Sequence, residues 1–137
     1  MRIILAARDA DLRLAMQLFL SEEPGVHVIG SASDANGLLA LVSSTDPDLV
    51  FLDADLPGQS LQDTLSKIRG GGSPPKIVLL GHEAVLSEEI SQADIEYYLQ
   101  KGDSPEMLVE AFRHVALKHE MNNLNPGREN IDFRDLS

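Results

Sequence analysis

The chain has no cysteine and no tryptophan, and half as many basic as acidic residues. Without cysteine there are no disulfides, no thiol nucleophile and no thiolate metal site, which fits a reducing compartment. Aromatic residues are only 4% of the chain, so whatever core it builds is aliphatic. Eleven Lys and Arg against 22 Asp and Glu leave a formal net charge of −11. Such a surface repels phosphate backbones and argues against nucleic-acid binding by this chain. No segment approaches the ~20 consecutive apolar residues of a membrane span. Met1 to Ala7 carry one charge and a short apolar stretch, without the longer apolar region and cleavage site of a signal peptide. The expectation is a soluble cytoplasmic domain with no membrane partner. With 137 residues, 43% of them hydrophobic, one domain with a true core is the natural reading.

Short apolar runs alternate with helical patterns. Ile3–Ala7, Val26–Gly30, Leu49–Leu52, Ile77–Leu80 and Tyr97–Leu99 read as strands. Between them, Leu12, Met16, Phe19 and Leu20, then Leu38, Leu39, Leu41 and Val42, then Leu61, Leu65 and Ile68 recur at helical spacing. A short, weakly patterned helix is expected over 84–92. Ser104-Pro105-Glu106 opens a last helix whose buried stripe is Leu108, Ala111, Phe112 and Val115. Pro24-Gly25, Pro47 and the run Gly70 to Pro75 punctuate these elements. The strands are apolar throughout rather than alternating, as in a parallel sheet covered on both faces. The fold expected is α/β: a doubly wound parallel sheet of five βα units in the flavodoxin-like strand order 2-1-3-4-5. Residues 1–121 form the domain. Residues 122–137 are polar and broken and read as a tail or linker stub. Leu124–Glu129 faintly matches the opening of a helix-turn-helix module, far too short to be one.

Asp53 is the residue that points to chemistry. It ends the apolar run Asp48–Leu52 and precedes Ala54-Asp55-Leu56-Pro57-Gly58. An aspartate at the carboxyl end of a buried strand, before a Pro-Gly turn, sits at the sheet edge where open α/β folds place their sites. Elsewhere the signals are weak. His27, His82, His114 and His119 show no metal-ligand spacing, although His82 follows Gly81 near the pocket rim. The glycines at 70–72 follow a helix and lack the Gly-Lys-Ser/Thr ending of a phosphate loop.

Over residues 2–119 the chain resembles the receiver domains of two-component response regulators. The resemblance places Asp53 at the phosphoacceptor position and Pro57-Gly58 at the turn after it. Lys101, after Tyr98-Leu99-Gln100, stands at the family's lysine, and Tyr98 at its switching aromatic. It implies a signalling protein rather than an enzyme. It also implies a histidine kinase or phosphotransfer protein as partner, and a homodimer through the face of the fourth helix, fifth strand and last helix. Two positions depart from the family. Where it carries a pair of acidic residues holding Mg²⁺, this chain has Ala7 and Arg8, with Asp9 one step late. Where it carries Ser or Thr after the fourth strand, this chain has Leu80, or Gly81 if the strand slips by one.

The metal set left to the chain is Asp9, Asp53 and Asp55, weak bait for a hard cation, and Arg8 beside it adds repulsion. Arg8 and Lys101 can instead both pair with Asp53. Asp9 has two readings, a cap on the first helix or a carboxylate leaning into the pocket. Two functions follow. One is a receiver accepting a phosphoryl group on Asp53. The alternative is a phosphorylation-independent pseudo-receiver acting through protein interaction or dimerisation. A flavin site is excluded by the absence of a hydroxyl- and glycine-rich loop in Ala7–Asp11.

Overall fold

The computed structural model describes residues 1–82 and 95–124. The apolar runs become β1 (Arg2–Ala6), β2 (His27–Ala32), β3 (Leu49–Asp53), β4 (Lys76–Gly81) and β5 (Tyr97–Gln100). The periodic segments become α1 (Ala10–Ser21), α2 (Ala35–Thr45), α3 (Leu61–Arg69) and α4 (Glu106–Leu124). The strands form one sheet in the order β2-β1-β3-β4-β5, and every pairing is parallel. This is the doubly wound flavodoxin-like order expected from the sequence.

Strand side chains alternate between two cores. Ile3, Leu5, Leu49, Phe51, Val78 and Leu80 pack with Met16 of α1 and Phe112 of α4. Ile4, Ala6, Val50, Leu52, Ile77 and Leu79 pack with Leu38 of α2 and Leu65 of α3. Both faces of β1, β3 and β4 are therefore dry along most of their length, which explains why their sequences are apolar apart from the terminal residues Arg2, Asp53 and Lys76.

Helix starts follow local chemistry. Asp9, Asp34 and Ser60 cap α1, α2 and α3, their side chains accepting from the amides of Asp11, Gly37 and Asp63. α1 ends at Ser21, before Pro24, and α2 ends on Asp46, whose φ of 53° is left-handed. α4 continues through Leu124, past the boundary expected at residue 121. The helix expected over 84–92, the remainder of the tail and most of the Leu124–Glu129 segment lie outside the described residues.

The order 2-1-3-4-5 puts the topological switch between β1 and β3. Their carboxyl ends lie side by side, with Ala6 opposite Leu52, and Asp53 opposite Leu80 of β4. The loops leaving β1, β3 and β5 meet above this crevice.

Candidate functional site

Asp53 is the last residue of β3 and is only 2% exposed. A buried carboxylate needs partners. Its Oδ1 accepts from the Asp55 amide at 2.9 Å, folding the chain back over the strand end. The same oxygen lies 2.6 Å from Lys101 Nζ. The Ala54 amide donates to Leu80 O at 2.8 Å, tying the loop to β4. Lys101 is placed by its own amide, which donates to Gly81 O at 3.0 Å just past β5. Gly102 then turns the chain with φ +98°.

The Lys101 ammonium also lies 2.8 Å from Asp55 Oδ2, and His82 Nε2 is 3.6 Å from that oxygen. Burial works to lower the Lys101 pKa, but hydrogen bonds to Asp53 and Asp55 outweigh it and hold the ammonium above the ordinary lysine value. The Lys101 hydrogen bond holds the Asp55 carboxyl below its ordinary value, against a smaller opposing effect of burial; the charges of Lys101, His82 and Arg8 add to the lowering.

The β1–α1 loop approaches from the other side. The Arg8 amide donates to Asp53 Oδ2 at 3.4 Å. Arg8 is exposed and lines the cleft; among the described residues, Lys101 is the side chain that forms an ion pair with Asp53. With its amide facing Asp53, Arg8 reaches the pocket through backbone and long-range charge rather than through contact. Asp9 serves as the α1 cap, its Oδ1 accepting from Asp11 N at 2.9 Å, and it also lines the cleft. Arg13, a residue the sequence reading passed over, donates through one guanidinium nitrogen to Ala7 O at 2.6 Å and Arg8 O at 3.1 Å. Its signal was present: a cation in the first turn of a helix opposes the helix dipole and needs a compensating contact.

Leu80 is buried in the core under α1 and α4, and Gly81 ends β4. Neither offers a hydroxyl. Tyr98 is half-buried against the opposite core, on the α2 and α3 side. Above the strand ends opens a cleft of about 870 Å³ lined by Arg8, Asp53, Asp55, Lys101, Leu80 and Met107 among others.

The response regulator receiver domain family matches residues 3–113, and the chain belongs to that family. The nitrate/nitrite response regulator NarP of Escherichia coli is 31% identical over 107 residues, covering 77% of this chain and 50% of that protein. NarL of the same organism is 32% identical over 108 residues, again covering 77% and 50%. The chain thus spans about half the length of the curated relatives it matches. In three dimensions it is similar to the receiver domain of AraT from Geobacillus stearothermophilus. That match has a TM-score of 0.80 at 20% identity, covers 89% of this chain and 97% of the other, and bears on fold alone.

Receiver domains generally bind Mg²⁺ at an acidic pocket, and the donor set here does not fit that ion. Asp55 Oδ2 is held by Lys101, Asp53 Oδ1 is shared by Lys101 and an amide, and Asp9 is spent on its helix. The carbonyls of Ala7 and Arg8 already accept from Arg13. A hard divalent ion needs several free oxygens converging on one point, and of the two Asp53 oxygens Oδ2 is the more lightly engaged. Among the described residues no group of three or more His, Cys, Asp or Glu is placed to hold a metal, and no helix is long and apolar enough to cross a membrane.

Proposed function

We propose that this receiver domain keeps Asp53 as its phosphoryl-accepting position, in a pocket where Lys101 does the charge balancing that a divalent cation does elsewhere. The observation that carries this is the 2.6 Å contact of Lys101 Nζ with Asp53 Oδ1, which leaves Oδ2, among the described residues, facing only the long Arg8 amide contact. Oδ2 is then the nucleophile. It attacks phosphorus in line, an Asp53–O–P bond forms, and the bond from phosphorus to the donor's nitrogen or oxygen breaks with its electron pair leaving on the donor. Lys101 stays beside the developing charge on the phosphoryl oxygens. With one cation where phosphoryl transfer benefits from several, transfer is slow, and the domain acts chiefly through docking of its partners. The partners belong to two-component signalling, a histidine kinase or phosphotransfer protein, and the domain is a signalling module rather than an enzyme. The receiver is assigned to residues 1–121 and the polar segment 122–137 to a tail or linker stub.

A second reading is a phosphorylation-independent interaction or dimerisation module. It is favoured by the absence of a hydroxyl at Leu80 and Gly81 and by the double hold of Lys101 on Asp53 and Asp55. Intact-mass spectrometry after incubation with acetyl phosphate, with and without Mg²⁺ and beside Asp53→Ala, separates the two. Gain of one phosphoryl group at equal rates with and without the metal, lost in the variant, supports the first. No gain with acetyl phosphate or with a phosphorylated histidine phosphotransfer protein supports the second.

A further inference from the structure

The peptide unit between Ala7 and Arg8 stands between two opposite charges. On its carbonyl side, Arg13 donates to Ala7 O at 2.6 Å. On its amide side, the Arg8 N–H points to Asp53 Oδ2 at 3.4 Å. The two ends of a trans peptide point in opposite directions, so a cation on the oxygen and an anion at the N–H align with the same dipole. Hydrogen bonds in such a chain polarise one another and strengthen together. We infer that Arg13 is a positioning residue for Asp53, acting through the Ala7–Arg8 peptide on the carboxylate oxygen that Lys101 leaves free.

Three observations converge on this. First, Ala7 is fully buried and lies beyond the end of β1; its amide still reaches Ala32 O at 3.1 Å, while Arg13 supplies the partner for its carbonyl. Second, the same guanidinium nitrogen also takes Arg8 O at 3.1 Å, so the loop is held at two successive carbonyls and the Arg8 amide is fixed in direction. Third, Arg13 occupies the first turn of α1, beside the positive end of the helix dipole, where a cation is disfavoured unless something nearby draws it in. The carbonyls of Ala7 and Arg8 do so, the first of them on the peptide whose amide faces Asp53. Asp53 is thereby clamped asymmetrically, with Lys101 and the Asp55 amide on Oδ1 and the polarised Arg8 amide on Oδ2. The loop that lacks the family's acidic pair presents Asp53 with a donor.

The kinetic consequence rests on the acceptor role proposed for Asp53, but the polarisation does not and is read in the resting protein. Arg13→Gln keeps a neutral donor for the Ala7 carbonyl, Arg13→Lys keeps a charged one, and Arg13→Ala keeps neither. In ¹H–¹⁵N spectra without any phosphodonor, the Arg8 amide proton is expected to move upfield in Arg13→Ala and in Arg13→Gln and to return toward the wild-type position in Arg13→Lys. A role limited to satisfying a buried carbonyl predicts instead that Arg13→Gln matches wild type, and that result overturns the inference. So does an Arg8 amide unmoved in all three variants. Should Arg13→Ala fail to fold, the Gln and Lys variants carry the comparison. Where acetyl phosphate does modify Asp53, the rate in Arg13→Gln falls by about three- to tenfold, the worth of one weakened hydrogen bond. An unmodified wild type defeats the acceptor reading and leaves the spectral result standing.

Discussion

Lys101 Nζ lies 2.6 Å from Asp53 Oδ1 on a carboxylate that is only 2% exposed, while the lysine reaches on to Asp55 at 2.8 Å. The pair is therefore a buried charge with a semi-buried partner, and its worth depends on which member is removed. Lys101→Met leaves Asp53 buried with amide donors alone, and is expected to destabilise the fold by on the order of 2 kcal/mol. Asp53→Asn leaves Lys101 its second carboxylate and costs less. The double variant Asp53→Asn with Lys101→Met is expected to be more stable than Lys101→Met alone. Urea unfolding of all four proteins at neutral pH gives the cycle; additive costs would show that the contact does not couple the two residues.

The same network sets an acid limit. Asp55 is held below its ordinary carboxyl value of 3.8 by the Lys101 hydrogen bond, against its own burial. Its folded pKa thus lies below its unfolded one, and the stabilisation is present above pH 3.8 and lost as pH falls through the folded value. Lys101 is shifted the other way, above 10.5, so its contribution is complete below pH 10.5 and lost only on going higher through its folded value. Stability from this pair is flat between roughly pH 5 and 9. The Asp55 side chain is 47% exposed, so solvent screening keeps its share under about 1 kcal/mol. Urea midpoints from pH 5 downward should fall more steeply in wild type than in Asp55→Asn; identical slopes would remove Asp55 from the linkage.

The connection that follows Asp53 is held by backbone geometry. Gly58 has φ +108°, and Pro57 O accepts from the Ala35 amide at 2.8 Å, seating the loop on the start of α2. A Cβ at Gly58 would meet Ala35 N at 3.5 Å, ordinary contact, so the cost of Gly58→Ala is conformational, on the order of 1–2 kcal/mol. Ser60→Ala removes the α3 cap and costs about 1 kcal/mol. Thermal melts test both, and a Gly58→Ala protein melting with wild type would show that the loop relaxes out of its left-handed turn.

The sheet was legible because β1, β3 and β4 are buried on both sides, and double burial writes an unbroken apolar run. Asp53 was legible for the converse reason, being a charge at the end of such a run. Lys101 was found by family resemblance, not by periodicity, since one residue after a four-residue strand has no pattern of its own; Tyr98 lies inside that strand, and only its switching role came from the resemblance. The Arg13 contact escaped because a guanidinium reaching back over its helix start depends on loop direction, which local composition does not encode. Arg8 shows the same limit. Its identity suggested a cation paired with Asp53, whereas its amide is the group that reaches that carboxylate, and the residue stands exposed at the cleft rim.

That orientation makes Arg8 the position at which metal affinity can be tested by substitution. The Arg8 charge lowers the Asp55 carboxyl from a distance, so it also opposes any cation arriving near Asp53. Arg8→Asp removes that charge and adds a carboxylate beside Asp53 Oδ2, which accepts the Arg8 amide at a long 3.4 Å. Two carboxylates and water form the beginnings of a site for a hard cation. Titration of Arg8→Asp with MgCl₂ is expected to shift the amide resonances of Asp53, Ala54 and Asp55 in a saturable way. Arg8→Ala, which removes the repulsion without supplying a ligand, is expected to respond weakly. Equal responses would assign the effect to charge alone, and no response in either would show that Lys101 and Arg13 hold the pocket's oxygens too firmly for a metal to compete.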